Sequence, residues 1–402
     1  MDPYVVLIYL SLIVILSYLF NIIVKKLKVP SVLWLLATGM VFRYISSYYD
    51  IALPNTKNFL SFLGIIGLIL IVLEGALDLK LTRDKAGVIK KSLSAAILIL
   101  IGSTFLLAFL IQWLTQAPFQ HCLANAVPLA VISSSITIPS VEHLELEKKE
   151  FLIYESTFSD IIGIMLFNYI ILNDTISASS VFQFGTDFVL VLGISVFSCL
   201  VLLFLLGKLK YHVKFFLIIA VLMLAYAVGK LFHLSTLLLV LVFGLVINNS
   251  KLFIQGFLAR VINTDNLKQD LRELKLITAE SAFLVRTFFF ILFGFSIDLS
   301  SLADVTVLFS GFIIVDAILL VRYLHLRYIA RKSLIPELFI APRGLITILL
   351  FYSIPQKFII PDFSEGILLV VVVLTGLLMM FGLLITDKKV ELEEVEDLGE
   401  VH

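Results

Sequence analysis

Thirteen stretches of mostly apolar residues recur along this chain, and no segment between them is longer than a connecting loop. A helix of about 20 apolar residues matches the hydrocarbon thickness of a bilayer. Lipid leaves no partner for open backbone, so a chain built this way is restricted to a bundle of membrane-spanning helices. The runs cover roughly 4–24, 30–44, 58–79, 92–115, 122–141, 151–172, 184–207, 212–229, 234–249, 276–298, 303–324, 335–354 and 364–386. With 60% hydrophobic and only 15% charged residues and a mean hydropathy of +1.08, a soluble core could not hide this much apolar surface.

Lysine and arginine test the count. The connections after odd-numbered runs, with the C-terminal end, hold 24 of the 30 basic residues, whereas the opposite side holds only Arg43, Lys57, Lys230 and Lys357. Arg286 and Arg343 fall inside runs. The positive-inside rule then places the N-terminus outside and the C-terminus in the cytoplasm, and the expected location is the plasma (inner) membrane. The first run lacks a basic flank before it and reads as a retained span rather than a cleaved signal. A formal net charge of +0, with no basic tract standing apart from the span ends, gives no sign of a nucleic-acid partner. Cys122 and Cys199 lie in unrelated runs without metal-ligand spacing and read as buried thiols.

An odd number of spans turns the second half upside down relative to the first. The expected organisation is a first six-helix repeat over residues 1–173, a connector over 174–211, an inverted six-helix repeat over 212–386 and an acidic cytoplasmic tail over 387–402. Helix-breaking residues fall at corresponding places, Pro139 in the fifth span and Pro342 with Gly344 in the twelfth, fifth in its half. Paired interruptions point to a binding site near the midplane, where freed backbone meets an ion; the plainer alternative is that each proline merely kinks or begins its helix. Lys251–Lys275 reads as an amphipathic segment along the cytoplasmic interface. The tail from Val390 to His402 reads as solvated and disordered.

Within the sixth run, Glu155-Ser-Thr-Phe-Ser-Asp160 places two carboxylates at membrane depth, and Glu74 interrupts the third run. Ionisable groups there are costly and mark ion or proton paths by default. Ser156 and Asp160 stand four residues apart on one helix face, with Glu155 about 140° around the axis from Asp160. A small dehydrated cation needs several hard oxygens; a carboxylate, a hydroxyl and freed carbonyls near Thr137-Ile-Pro139 could supply them. Burial favours the protonated carboxyl, so proton and cation compete for the same oxygens. Glu155 is expected to pair with Arg343, because either charge alone would cost several kcal/mol. Glu74 either joins the ion site or pairs with Arg286, and Asp316 is a further partner for Arg286 or Arg322. Glu280 and Asp298 lie near span ends, close to water.

These residues resemble the cation/proton antiporters, in particular the NhaP-like sodium/proton exchanger branch. Val29-Pro-Ser-Val-Leu-Trp-Leu-Leu-Ala-Thr-Gly39 resembles the family's second-span opening, and Leu73-Glu-Gly-Ala-Leu77 its third-span Glu-Gly element. Glu155-Ser-Thr-Phe-Ser-Asp160 is similar to its Glu-Ser-x-x-Asn-Asp motif, Phe289–Asp298 to a later span, and Pro342-Arg-Gly344 to its arginine-glycine element. The resemblance covers nearly the whole chain. It implies an all-helical antiporter with two inverted repeats whose interrupted helices cross near the midplane. Asp160 would carry cation and proton, Ser156 and the Thr137 backbone would be ligands, with Ser159 and Glu74 at the site and Glu155–Arg343 as a structural ion pair. It also implies a homodimer, elevator-like movement and no cofactor beyond the transported ions.

Two positions depart from the family pattern. Ser159 stands where the family has asparagine, and Ile138 where it has aspartate. With one acid at the site, the expected reaction is electroneutral exchange of Na+, with Li+ accepted, for one H+, serving pH homeostasis. A K+/H+ antiporter is the near alternative. From other classes, a transport-inactive sensor or channel keeps the fold, while an intramembrane enzyme would need signatures that are missing, such as Gly-x-Gly-Asp or His-Glu-x-x-His.

Overall fold

The structure, a computed structural model, describes residues 3–27, 30–48, 56–79, 81–82, 85–173, 185–186, 189–190, 193–197, 215–231, 236–249, 267–297, 304–330, 334–361 and 363–399. Among the described residues the chain is helical, without strands. The helices are α1 (Pro3–Leu27), α2 (Ser31–Tyr48), α3 (Thr56–Asp78), α4 (Ala86–Thr115), α5 (Phe119–Ala130), α6 (Ser134–Ser140) and α7 (Leu146–Leu172). They continue with α8 (Phe215–Leu231), α9 (Thr236–Asn248), α10 (Leu267–Ser296), α11 (Val305–Leu324), α12 (Leu345–Tyr352) and α13 (Glu365–Gly399). A π-helical turn, His325–Ala330, prolongs α11.

Each expected run carries helix, although in 184–207 only 185–186, 189–190 and 193–197 are described; 251–266 of the expected interfacial segment and Cys199 lie outside the described residues. Residues 267–275 form the first turns of α10. Among the described residues six stretches are long and apolar enough to cross a membrane by length and composition, including Leu146–Leu172 and Val305–Ala330. The tail departs from expectation, because α13 runs on to Gly399. Glutamate, leucine and valine with no proline continue a helix already nucleated above them, and each added residue gains a hydrogen bond without a new nucleation cost.

The helices pack as two groups. In one, α10 lies against α2 and α3, and α3 against α9. In the other, α4, α5 and α7 pack together, α6 lies on α7, and α11 joins α4 to α13. Two glycines let α2 and α10 touch backbone to backbone: a Cβ at Gly39 would sit 2.1 Å from the Ile291 carbonyl oxygen, and one at Gly294 would sit 2.3 Å from that of Leu36. Without a hydrophobic drive between helices in lipid, such close approach supplies the packing contact. The groups meet where α3 and α10 face α6, α7 and α12.

Two spans are interrupted. Val131, Ile132 and Ser133 run without helix between α5 and α6, and Ile340–Gly344 do so ahead of α12. The first break is thus earlier than the expected Thr137-Ile-Pro139, which forms the end of α6. Pro128 lies inside α5, which ends two residues later at Ala130; Pro139 lies inside α6, which ends one residue later at Ser140. The two breaks cross and pair, with the Ser133 amide donating to the Pro342 carbonyl at 2.9 Å. Gly344 is required at this crossing, since a Cβ would meet the Ser133 Oγ at 2.6 Å.

Candidate functional site

The first break faces the middle of α7. There the Ser134 amide, at the N-terminus of α6, donates to Asp160 Oδ2 at 3.0 Å. One residue earlier on α7, Ser159 Oγ accepts the Ile132 amide at 3.0 Å. Both amides are freed by the interruption, and α7 offers an oxygen to each. Ser159 thus serves as an acceptor that holds Ile132 of the break. Asp160 is 1% exposed, its other oxygen, Oδ1, has no hydrogen-bond partner, and among the described residues no lysine or arginine pairs with it. A buried acceptor of that kind is costly unless something else completes it.

Ser156, one turn before Asp160 and fully buried, points its hydroxyl at the Ile153 carbonyl at 3.2 Å. Thr137 is buried too, but its carbonyl accepts the Val141 amide at 3.1 Å and its hydroxyl donates to the Ser133 carbonyl at 2.9 Å. The Ser133 carbonyl already accepts from Thr137, so the backbone oxygens left to a ligand next to Asp160 are those of Val131 and Ile132 rather than that of Thr137.

The second carboxylate on α7 is built differently, and here the structure corrects the expected pairing. Glu155 does not pair with Arg343. Arg322 of α11 grips it through both oxygens, Nη1 to Oε1 at 2.6 Å and Nη2 to Oε2 at 2.9 Å. The remaining donors reach the carbonyls of Glu337 at 2.7 Å and Ile340 at 3.2 Å. Arg322 is wholly buried, about two turns before the end of an apolar stretch that continues to Ala330. Its sequence signal was the run Leu326-Arg-Tyr-Ile-Ala330, which extends span 11 past the position where the basic residues suggest it ends.

Arg343 needs no acid. Its Nε donates to the Leu129 carbonyl at 2.8 Å, Nη2 to that of Ala130 at 3.1 Å and Nη1 to that of Ala341 at 2.5 Å. The last carbonyls of a helix have no partner within it, and the helix end carries partial negative charge. Arg343 caps the end of α5 and ties it to the second break.

Glu74 and Arg286 meet where the two helix groups face each other. Arg286 Nη2 donates to Glu74 Oε2 at 3.3 Å, and Nη1 to the Ser135 carbonyl at 2.6 Å. Of the two readings open for Glu74, the structure shows pairing with Arg286. Asp316 is exposed on α11 and answers neither Arg286 nor Arg322, and Glu280 accepts the Tyr18 hydroxyl at 2.6 Å. Asp298 lies outside the described residues, and Cys122 is a buried free thiol.

The transmembrane sodium/hydrogen exchanger family profile matches residues 11–386. No curated protein sequence matches the chain. Two structures of the sodium proton antiporter MjNhaP1 from Methanocaldococcus jannaschii share the fold. The one at pH 8 has a TM-score of 0.72 at 20% identity over 95% of this chain and 99% of that one. The other, from electron microscopy, has a TM-score of 0.71 at 18% identity over 100% of this chain and 99% of that one.

Proposed function

The chain belongs to the sodium/hydrogen exchanger family of cation/proton antiporters, and from that premise we propose that it exchanges Na+, and also Li+, for one H+ at Asp160. The observation that carries this reading is the unequal state of the carboxylates. Glu155 is held by Arg322 and Glu74 by Arg286, whereas Asp160 keeps one buried oxygen without a partner. A carboxylate in that state accepts either a proton or a desolvated cation, and holding one excludes the other. With one such group, the charge moved in each direction is equal and the exchange is electroneutral.

The cation site consists of Asp160, the Ser156 hydroxyl and the carbonyls of Val131 and Ile132, with Ser159 fixing that backbone through the Ile132 amide. Glu74 and the Thr137 carbonyl, both already engaged, stand beside it. The ion-carrying part is the group containing α5, α6, α7 and α11–α13, which moves against the group built on α2, α3, α9 and α10; the sparse contacts between them support this. The two halves, 1–173 and 212–386, act as inverted repeats joined by 174–211, with the tail 387–402 in the cytoplasm and the N-terminus outside. The protein works as a homodimer in the plasma membrane and contributes to pH homeostasis.

The test is a proteoliposome assay with an internal pH dye, adding Na+, Li+ or K+ in turn, with the membrane potential clamped at several values. The expected result is proton movement driven by Na+ and Li+ and independent of potential. Movement driven by K+ alone would reassign the cation, potential-dependent movement would overturn the stoichiometry, and no movement with any cation would overturn the reading.

A further inference from the structure

Pro139 has no amide to give the carbonyl four residues before it, so the Ser135 carbonyl is left open in the first turn of α6. It lies one residue along from the amide that holds Asp160. An open carbonyl at a helix break beside a buried carboxylate is a ready cation ligand. Here a cation already fills it, one tethered to the neighbouring helix group: Arg286 of α10 donates to that carbonyl at 2.6 Å and to Glu74 Oε2 of α3 at 3.3 Å. The side chains of Arg286 and Glu74 are 11% and 19% exposed, and Arg286 Nε is buried with no partner.

We propose that Arg286 is an affinity-setting positioning residue, a built-in cation that withholds the Ser135 carbonyl and the Glu74 carboxylate from the transported ion. The inference rests on the proposed exchange at Asp160 and extends it. Glu74 and Ser135 belong to different helix groups, and the planar fork of an arginine bridges two such acceptors where a lysine ammonium, a single point charge, cannot hold both in the same way. While the fork is in place the ion meets Asp160 and its immediate neighbours only. The ion is then bound weakly enough to be released on the other side, and it is not trapped between the two groups.

Removing the guanidinium makes a prediction that simple damage does not. R286Q frees one carbonyl and one carboxylate beside the site, so the apparent KM for Na+ falls by at least about three-fold, the scale of one added charge-assisted ligand, while the maximal rate drops. In E74Q/R286Q the released carboxylate is absent, and most of the fall in KM is reversed.

The experiment is Na+-driven proton movement in proteoliposomes for wild type, R286Q, R286K and E74Q/R286Q, with KM and maximal rate measured separately and each protein checked for a single melting transition. A lower KM in R286Q, reversed in the double variant, is the expected result. An unchanged or raised KM in a folded R286Q, or a lowered KM that the double variant retains in full, overturns the proposal. If R286Q does not fold, R286K decides: a lowered KM supports the bridging role, and an unchanged or raised KM overturns it. Absence of exchange in the wild type would instead fall on the proposed function.

Discussion

Two carboxylates on α7, five residues apart and each 1% exposed, have been given opposite fates. Glu155 has a bidentate guanidinium. Asp160 has one backbone amide and one oxygen with nothing bonded to it. Burial and the ionisable group, a carboxyl, are the same, so neither determines which acid handles ions; the partners supplied by other helices do. Helical geometry separates the two acids, turning Glu155 toward α11 and Asp160 toward the break between α5 and α6. A buried pair is weak as a source of net stability, but once built it is costly to break. An orphaned acceptor is the reverse, a standing cost that a proton or a cation relieves.

The sharpest way to break this comparison is to neutralise each acid in turn. D160N is expected to abolish exchange while its melting temperature in detergent stays near that of the wild type; full exchange in D160N would remove the distinction altogether. E155Q or R322M should show the opposite pattern, a loss of about 3–5 kcal/mol in stability from one uncompensated buried charge, read as a large fall in melting temperature. E155Q/R322M, which removes both charges, should recover most of that loss. If the double variant were as unstable as either single one, the pair would not be the reason Glu155 is there.

A smaller effect is expected at Ser159. S159A leaves the Ile132 amide buried without an acceptor, at a cost of about 1–3 kcal/mol, and loosens the backbone beside Asp160. Measured KM for Na+ should rise while exchange persists. An unchanged KM and melting temperature would mean that the 131–133 stretch is held by its neighbours without Ser159.

Much of this was legible in the chain itself. Thirteen apolar runs, the distribution of lysine and arginine, and paired interruptions in spans five and twelve carry the fold. Asp160 and Ser156 are marked by being polar at membrane depth and one turn apart. What was not legible follows from three physical facts. Pairing charge with charge assigns Arg343 an acid but ignores the carbonyls that a broken helix leaves open; α5 ends against it and supplies two of them. Arg322 counts with the basic residues at the end of span 11, yet the apolar stretch runs on to Ala330 and draws it inside. The break was placed at Pro139 because proline interrupts helices, but Pro128 precedes the true opening, and Pro139 instead frees the carbonyl that Arg286 takes.

The claim at the centre of the account is that proton and cation compete for one carboxylate. It is tested most directly by counting protons released when Na+ is added to the purified, weakly buffered protein, in wild type and in D160N. The account predicts close to one proton released per Na+ bound by the wild type and none from D160N. Na+ binding without proton release, or release that survives in D160N, would contradict it.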